Sequence, residues 1–279
     1  MAVIWKEDIL ALQREDGSWG YFHSLGIPTQ NNQITTEQAV RRLVELGMGR
    51  EDEPIKRTLH YMRGVLAKEI VPPDRREGVL NWDYFEAMMM ASWIKRLVPN
   101  DKEVENVAQF WAKIIEESIA EKGFDESGRY KKVYRKYVPR LGSHEREIGA
   151  AQFYLVTLLR GTLAPWAEEA YFSYILHRPA GIYYIYGKTI QSPPEEFASR
   201  ETSRYLAALE CLAGYSCAKD MLEFAVQWIR ANQLSDGMWD LGPSSKDGVY
   251  LPLSSSWRTT EGRKKDCTAR INRILKKLA

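Results

Sequence analysis

The sequence predicts an all-α fold of about five to six helical hairpins, arranged as an inner and an outer layer. Three observations predict it. Apolar residues recur at helical period almost throughout, and strand-like alternation is nearly absent. Two kinds of helix take turns along the chain. The connections between them alternate between short and long.

The first kind of helix is amphipathic. In EVENVAQFWAKIIEESIAE, residues Val104, Val107, Ala108, Trp111, Ile114 and Ile115 form one stripe, with charges on the other side. EPIKRTLHYMRGVLAKE and AKDMLEFAVQWIRANQ follow the same pattern. The second kind is apolar nearly all round, as in FEAMMMASWI, IGAAQFYLVTLL and RYLAALECLAG, and has to be covered on most sides. Outer helices are expected near 4–13, 54–67, 101–121, 165–176 and 217–232. Inner helices are expected near 35–47, 83–97, 144–160, 199–213 and 262–278. Asn100 with Glu103 reads as a capping box, Pro165 as a first helical residue, and Ser199 as an N-cap.

Bulk properties restrict the possibilities further. A chain of 279 residues, 44% of them hydrophobic, can bury one large core, and residues 1–279 read as a single domain. The net charge of +2, from 39 basic and 37 acidic residues, is too balanced to argue for a nucleic-acid or membrane partner, and nucleic acid is not the expected one. No run approaches the ~20 apolar residues needed to span a bilayer. Acids in the first turns of MAVIWKEDILALQRED exclude a secretory leader there. Cys211, Cys217 and Cys267 have no paired spacing and read as free thiols in a reducing cytoplasm. No cofactor is implied.

Outer-to-inner connections are the long ones. With antiparallel hairpins in a ring, they collect at the end where the inner helices begin, around the mouth of a central cavity. Polar residues at those starts are therefore the candidate site. Asp83 and Glu86 share a face, as do His144 and Glu147. With Glu201 they offer acid–base chemistry, and Asp83, Glu86, His144 and Glu201 are the catalytic candidates. Arg146, Arg200, Arg204 and Arg258 suit a phosphate or carboxylate. Tyr183, Tyr184, Tyr186 and Trp257 suit stacking on a ligand. Glu201 is also placed to pair with Arg204. DLGPSSKDGVYLPLSSSW suits a lid, and RYKKVYRKYVPR reads as a solvated basic helix, with binding of nucleic acid or an acidic ligand as the alternative.

A short stretch occurs twice: LQREDGSWGYF near the start and NQLSDGMWDLG near the end. Gln ends an outer helix, Asp-Gly turns the chain, and Trp folds back over the layer, which makes a structural clasp. WIRANQLSDGMW resembles the QW motif of the terpenoid cyclase and protein prenyltransferase superfamily. DILALQREDGSW matches it except that Asp8 stands at the aromatic position. The resemblance implies an α/α toroid and a small-molecule ligand in its central cavity. It implies less about chemistry. No DxDD run is present for alkene protonation. Asp266 and Cys267 are adjacent, diverge by about 100° on a helix, and do not make a prenyltransferase zinc site, so no metal is expected. No GCGEQ-type run is present either.

Three functions remain open at this level. One is a prenyltransferase-like enzyme acting on a small apolar ligand with an anionic group such as diphosphate. Another is a carbohydrate-active hydrolase or lyase using paired carboxylates. The third is a non-catalytic ligand- or protein-binding toroid.

Overall fold

The computed structural model of the protein describes residues 5–23, 34–254 and 257–278. Helix accounts for 54% and strand for 3%, so the fold is all-α. The α-helices among the described residues are α1 (Lys6–Ala11), α2 (Thr36–Glu45), α3 (Glu53–Leu66), α4 (Trp82–Leu97), α5 (Glu105–Glu117), α6 (Lys131–Tyr137), α7 (Phe153–Leu158), α8 (Pro165–His177), α9 (Arg200–Leu212), α10 (Ala218–Met221), α11 (Glu223–Ala231) and α12 (Thr260–Leu278). One antiparallel hairpin, β1 (Ile119–Ala120) with β2 (Gly123–Phe124), lies between α5 and α6.

Burial distinguishes helices covered on most sides from helices that bury one stripe. On α4, Met88, Met89, Met90 and Ala91 are all fully buried, and Trp93 is nearly so. Each large apolar side chain buried in this way contributes roughly 1.5–3 kcal/mol. The amphipathic helices α3, α5 and α11 instead bury one stripe: Trp111, Ile114 and Ile115 on α5, and Ala225, Val226 and Ile229 on α11. Helix α4 packs on α3 and α7, α7 on α9, α9 on α12, and α1 on α2. Helix α2 meets α4 through Trp93, whose indole N–H donates to Glu37 Oε1 at 3.3 Å. It meets α12 through Arg273, whose guanidinium donates to Glu45 Oε2 at 3.1 Å.

Both copies of the repeated stretch fold alike. The indole N–H of Trp19 donates to Ile9 O, and that of Trp239 to Ile229 O, each at 2.7 Å. The backbone N–H of Trp19 donates to Thr36 Oγ1 at 2.9 Å, and that of Trp239 to Thr268 Oγ1 at 3.0 Å. Asp16 accepts from Ser18 N and Asp236 from Met238 N. Gly17 and Gly237 have φ of +85° and +79°, a conformation open to glycine at little cost. Each clasp thus fastens the end of one helix to the next long helix, α1 to α2 and α11 to α12. The glutamines differ. Gln13 Nε2 reaches Gly17 O, Pro54 O and Thr58 Oγ1, locking the first turn of α3. Gln233 is exposed, and its Nε2 donates to Gly237 O at 2.6 Å.

Several helix expectations change, and the outer helix expected over 217–232 breaks at Leu222 into α10 and α11. The inner helix expected over 144–160 forms only as α7. Ahead of it, the hydroxyls of Tyr130 and Tyr171 take the carbonyls of Ile148 and Ala150 at 2.5 and 2.6 Å. Tyr183 exchanges backbone bonds with Ala151 and Phe153. These bonds compete with the helical ladder, and His144 and Glu147 therefore share no helix face. The outer helix expected over 101–121 ends at Glu117, where Ser118 Oγ turns back onto Ile114 O and β1 begins. It begins only at Glu105, behind a 3-10 turn over Lys102–Val104 whose cap is Asp101, accepting from Glu103 N at 2.9 Å, and not Asn100. Pro165 and Ser199 sit where expected, and Ser199 Oγ accepts from Thr202 N at 3.1 Å. The basic segment folds as α6. Its Tyr130 and Tyr134 are buried, Arg135 pairs with Glu147, and Lys136 with Glu117.

Short connections also carry specific bonds. Lys95, at the end of α4, donates to Leu158 O at 2.8 Å and to Thr162 Oγ1, capping α7 with a cation. Burial, countered in part by Glu105, brings its ammonium down to about 8.

Candidate functional site

A cavity of about 310 Å3 opens where α2 and α9 begin. The Thr35 side chain accepts from Gln38 N and the Gln38 side chain accepts from Thr35 N, which fixes the first turn of α2. That turn places Glu37, Gln38 and Arg41 on the cavity wall. The first turns of α9 add Arg200 and Arg204. Tyr184 and Ile185 come from the loop after α8, and Asp247, Val249 and Tyr250 from the loop before α12.

Glu37 is buried and accepts four hydrogen bonds. Arg41 Nη2 lies 2.9 Å from its Oε1, and the Trp93 indole and the Tyr184 hydroxyl donate to the same oxygen. Tyr154 donates to Oε2 at 2.8 Å. With three donors on Oε1 and one on Oε2, the carboxylate organises its neighbours.

Arg41 is likewise held on all sides. Its Nη1 donates to the Tyr250 hydroxyl at 3.1 Å, and its guanidinium lies 4.6 Å from the Phe153 ring centroid and 5.4 Å from that of Trp93. Burial opposes its charge, yet Tyr250, Tyr184 and Glu37 together hold its pKa well above the ordinary arginine value. Burial first, and Glu37 second, raise Tyr154 and Tyr184 well above the usual phenol range, so both stay protonated donors at neutral pH.

Arg200 and Arg204 contrast with this saturated floor. Both are exposed, stand one turn apart, and have no acidic side chain of the described residues within ion-pair distance. The expected Glu201–Arg204 pair does not form. Glu201 instead accepts from Lys188 Nζ at 2.8 Å and from the Tyr186 hydroxyl at 3.1 Å. Asp247 is the other acid on the wall. It accepts from the N–H groups of Val249, Tyr250 and Leu251 and from Ser203 Oγ, so it shapes its own loop.

The sequence-predicted residues divide among several places. Arg200, Arg204 and Tyr184 meet in this cavity. Tyr183 lies beside it, 55% exposed, in edge contact with Tyr184. Asp83 and Glu86 line a separate cavity of about 290 Å3 with Asp74 and Arg76. There Asp83 is paired with Arg76, while burial raises Glu86 against a bond from the Trp82 indole. His144 and Arg146 are exposed in the irregular segment before α7, away from both cavities. Trp257 donates to Asp266 at 2.7 Å, and Arg258 is exposed beside it. Asp266 also accepts from Leu253 N, Ser254 N and Ser254 Oγ, while burial pushes the Cys267 thiol up to about 11. Among the described residues, no three His, Cys, Asp or Glu side chains are grouped to hold a metal ion.

Gln38, Arg41, Asp247 and Tyr250 escape the sequence reading. A signal for α2 was nonetheless present: a helix placed in the inner layer carries Glu37, Arg41, Arg42 and Glu45, and all four are buried. Larger clefts of about 1040 and 680 Å3 flank the β-hairpin, but Arg178 and Glu126 neutralise each other there. No family model, curated protein or solved structure matches this chain.

Proposed function

We propose that the inner helices close into an α/α toroid of the terpenoid cyclase and prenyltransferase kind, and that the cavity at its rim takes a small molecule bearing a phosphate or diphosphate. The contacts α2–α4, α4–α7, α7–α9, α9–α12 and α12–α2 support a closed ring. The duplicated clasp supports the same reading.

One observation carries the ligand class. Arg200 and Arg204 present two guanidiniums without acidic partners at a cavity mouth, on the first turns of a helix whose dipole also favours an anion. The walls left for the rest of the ligand are Tyr184, Ile185, Val249 and Tyr250, which suit a compact body. In this reading the site works through cations and fixed phenols and not through paired carboxylates, because Asp83 and Glu86 lie elsewhere.

Thermal-shift titration with pyrophosphate and with geranyl diphosphate tests the proposal. A ligand at about 100 times its Kd stabilises by about 2.7 kcal/mol, and this gain is expected to vanish in the Arg200→Ala/Arg204→Ala variant. An equal shift in that variant, or no shift with either compound, would overturn it.

A further inference from the structure

Resting on that reading, we infer that the non-phosphate part of the ligand is a planar ring that stacks on Tyr184, so that the site takes a phosphorylated heterocycle of nucleotide type. Tyr184 is 41% exposed although its hydroxyl is fixed deep in the site. That hydroxyl donates to Glu37 Oε1, accepts from Arg41 Nη2 at 3.2 Å and lies 3.2 Å from the Tyr154 hydroxyl. A phenol pinned at its far end cannot swing away, so its ring is a preformed surface with little entropy left to lose.

The aromatic neighbours of this ring all meet it at a steep angle. Tyr183 lies at 87°, His23 at 88°, Tyr154 at 63° and Phe153 at 57°, with centroids 5.9 to 6.5 Å away. Among the described residues no ring lies parallel to it, and the open area of Tyr184 forms part of the cavity wall. The Arg41 guanidinium lies over the ring at 5.6 Å from its centroid, and with the aromatic neighbours edge-on the area open to the cavity is left for an offset stack. An apolar chain would need an extended greasy slot. The cavity instead brings one open aromatic face together with guanidiniums, the pairing that suits a ring carrying a phosphate.

Calorimetric titration with uridine 5′-monophosphate and with ribose 5-phosphate separates the ring from the phosphate. The nucleotide is expected to bind about tenfold tighter. That ratio should fall to about one in Tyr184→Leu and persist in Tyr184→Phe, which keeps the ring. Equal affinities in the unaltered protein, abolished together by Arg204→Ala, would overturn the ring assignment and leave the phosphate site standing. A preference that survives in Tyr184→Leu would overturn it too. Binding of neither compound, nor of pyrophosphate, would bring down the phosphate site and the ring assignment with it.

Discussion

Glu37 and Arg41 form a buried ion pair one helical turn apart, with Arg41 Nη2 2.9 Å from Glu37 Oε1 and their side chains 2% and 8% exposed. Removing one partner leaves a buried charge unpaired, which typically costs about 3–5 kcal/mol. Arg41→Met is therefore expected to lower the urea midpoint strongly. Adding Glu37→Gln to it should recover part of the loss, since the amide can still accept from Tyr154. A double variant no more stable than the single one would contradict this account.

The two clasps give a comparison within one molecule. Gln13 is half-buried and joins three acceptors, two of them on α3. Gln233 is exposed with a single acceptor among the described residues. Gln13→Ala is expected to cost about 1–3 kcal/mol, by leaving buried groups without partners. Gln233→Ala is expected to stay within about 0.5 kcal/mol. Chemical denaturation of the two variants side by side reads the difference directly.

Lys95 makes stability depend on alkaline pH. Its folded pKa of about 8 lies below the ordinary lysine value, so between the two the unfolded chain binds more protons. Stability from this group is present above the ordinary lysine pKa and is lost as pH falls through about 8. Lys95→Met should therefore show a smaller rise in urea midpoint between pH 7.5 and pH 10 than the unaltered protein. Identical slopes would show that Lys95 is not the group responsible.

Asp240 and Arg263 tie the second clasp to α12 through two bonds of 2.6 and 2.7 Å. Bonding to Arg263, ahead of a smaller burial effect, holds the Asp240 carboxyl below its usual value. Its contribution is present above the ordinary aspartate pKa and is lost as pH falls through the lower folded value. Asp240→Asn is expected to lower the melting temperature at pH 7 and to match the unaltered protein at the acid limit of folding. A constant gap at every pH would exclude the pair as the cause.

Local signals were the readable ones. The turn of the clasp needs Asp16, Gly17 and Trp19 close together in sequence, and chain-local turn chemistry sufficed to foresee it, whereas the bond from Trp19 to Thr36, seventeen residues on, was not foreseen. Ser199 and Pro165 were readable for the same reason. The cavity wall was not. Glu37, Tyr184 and Tyr250 come from segments far apart, and only packing shows that they converge. His144 was misplaced because periodicity alone extended a helix whose backbone bonds are claimed by Tyr130, Tyr171 and Tyr183. The link of Arg204 to Glu201 failed through competition, since Lys188 and Tyr186 reach Glu201 from another loop.

Tyr250 joins Arg41 to Arg270, its hydroxyl taking a bond from the former and its ring lying 4.4 Å from the guanidinium of the latter. Both arginines are almost wholly shielded from solvent. One phenol on the wall of the hollow at the start of α2 and α9 thus stands between two sheltered cations, so loss of its hydroxyl would release Arg41 while leaving the ring stacked on Arg270.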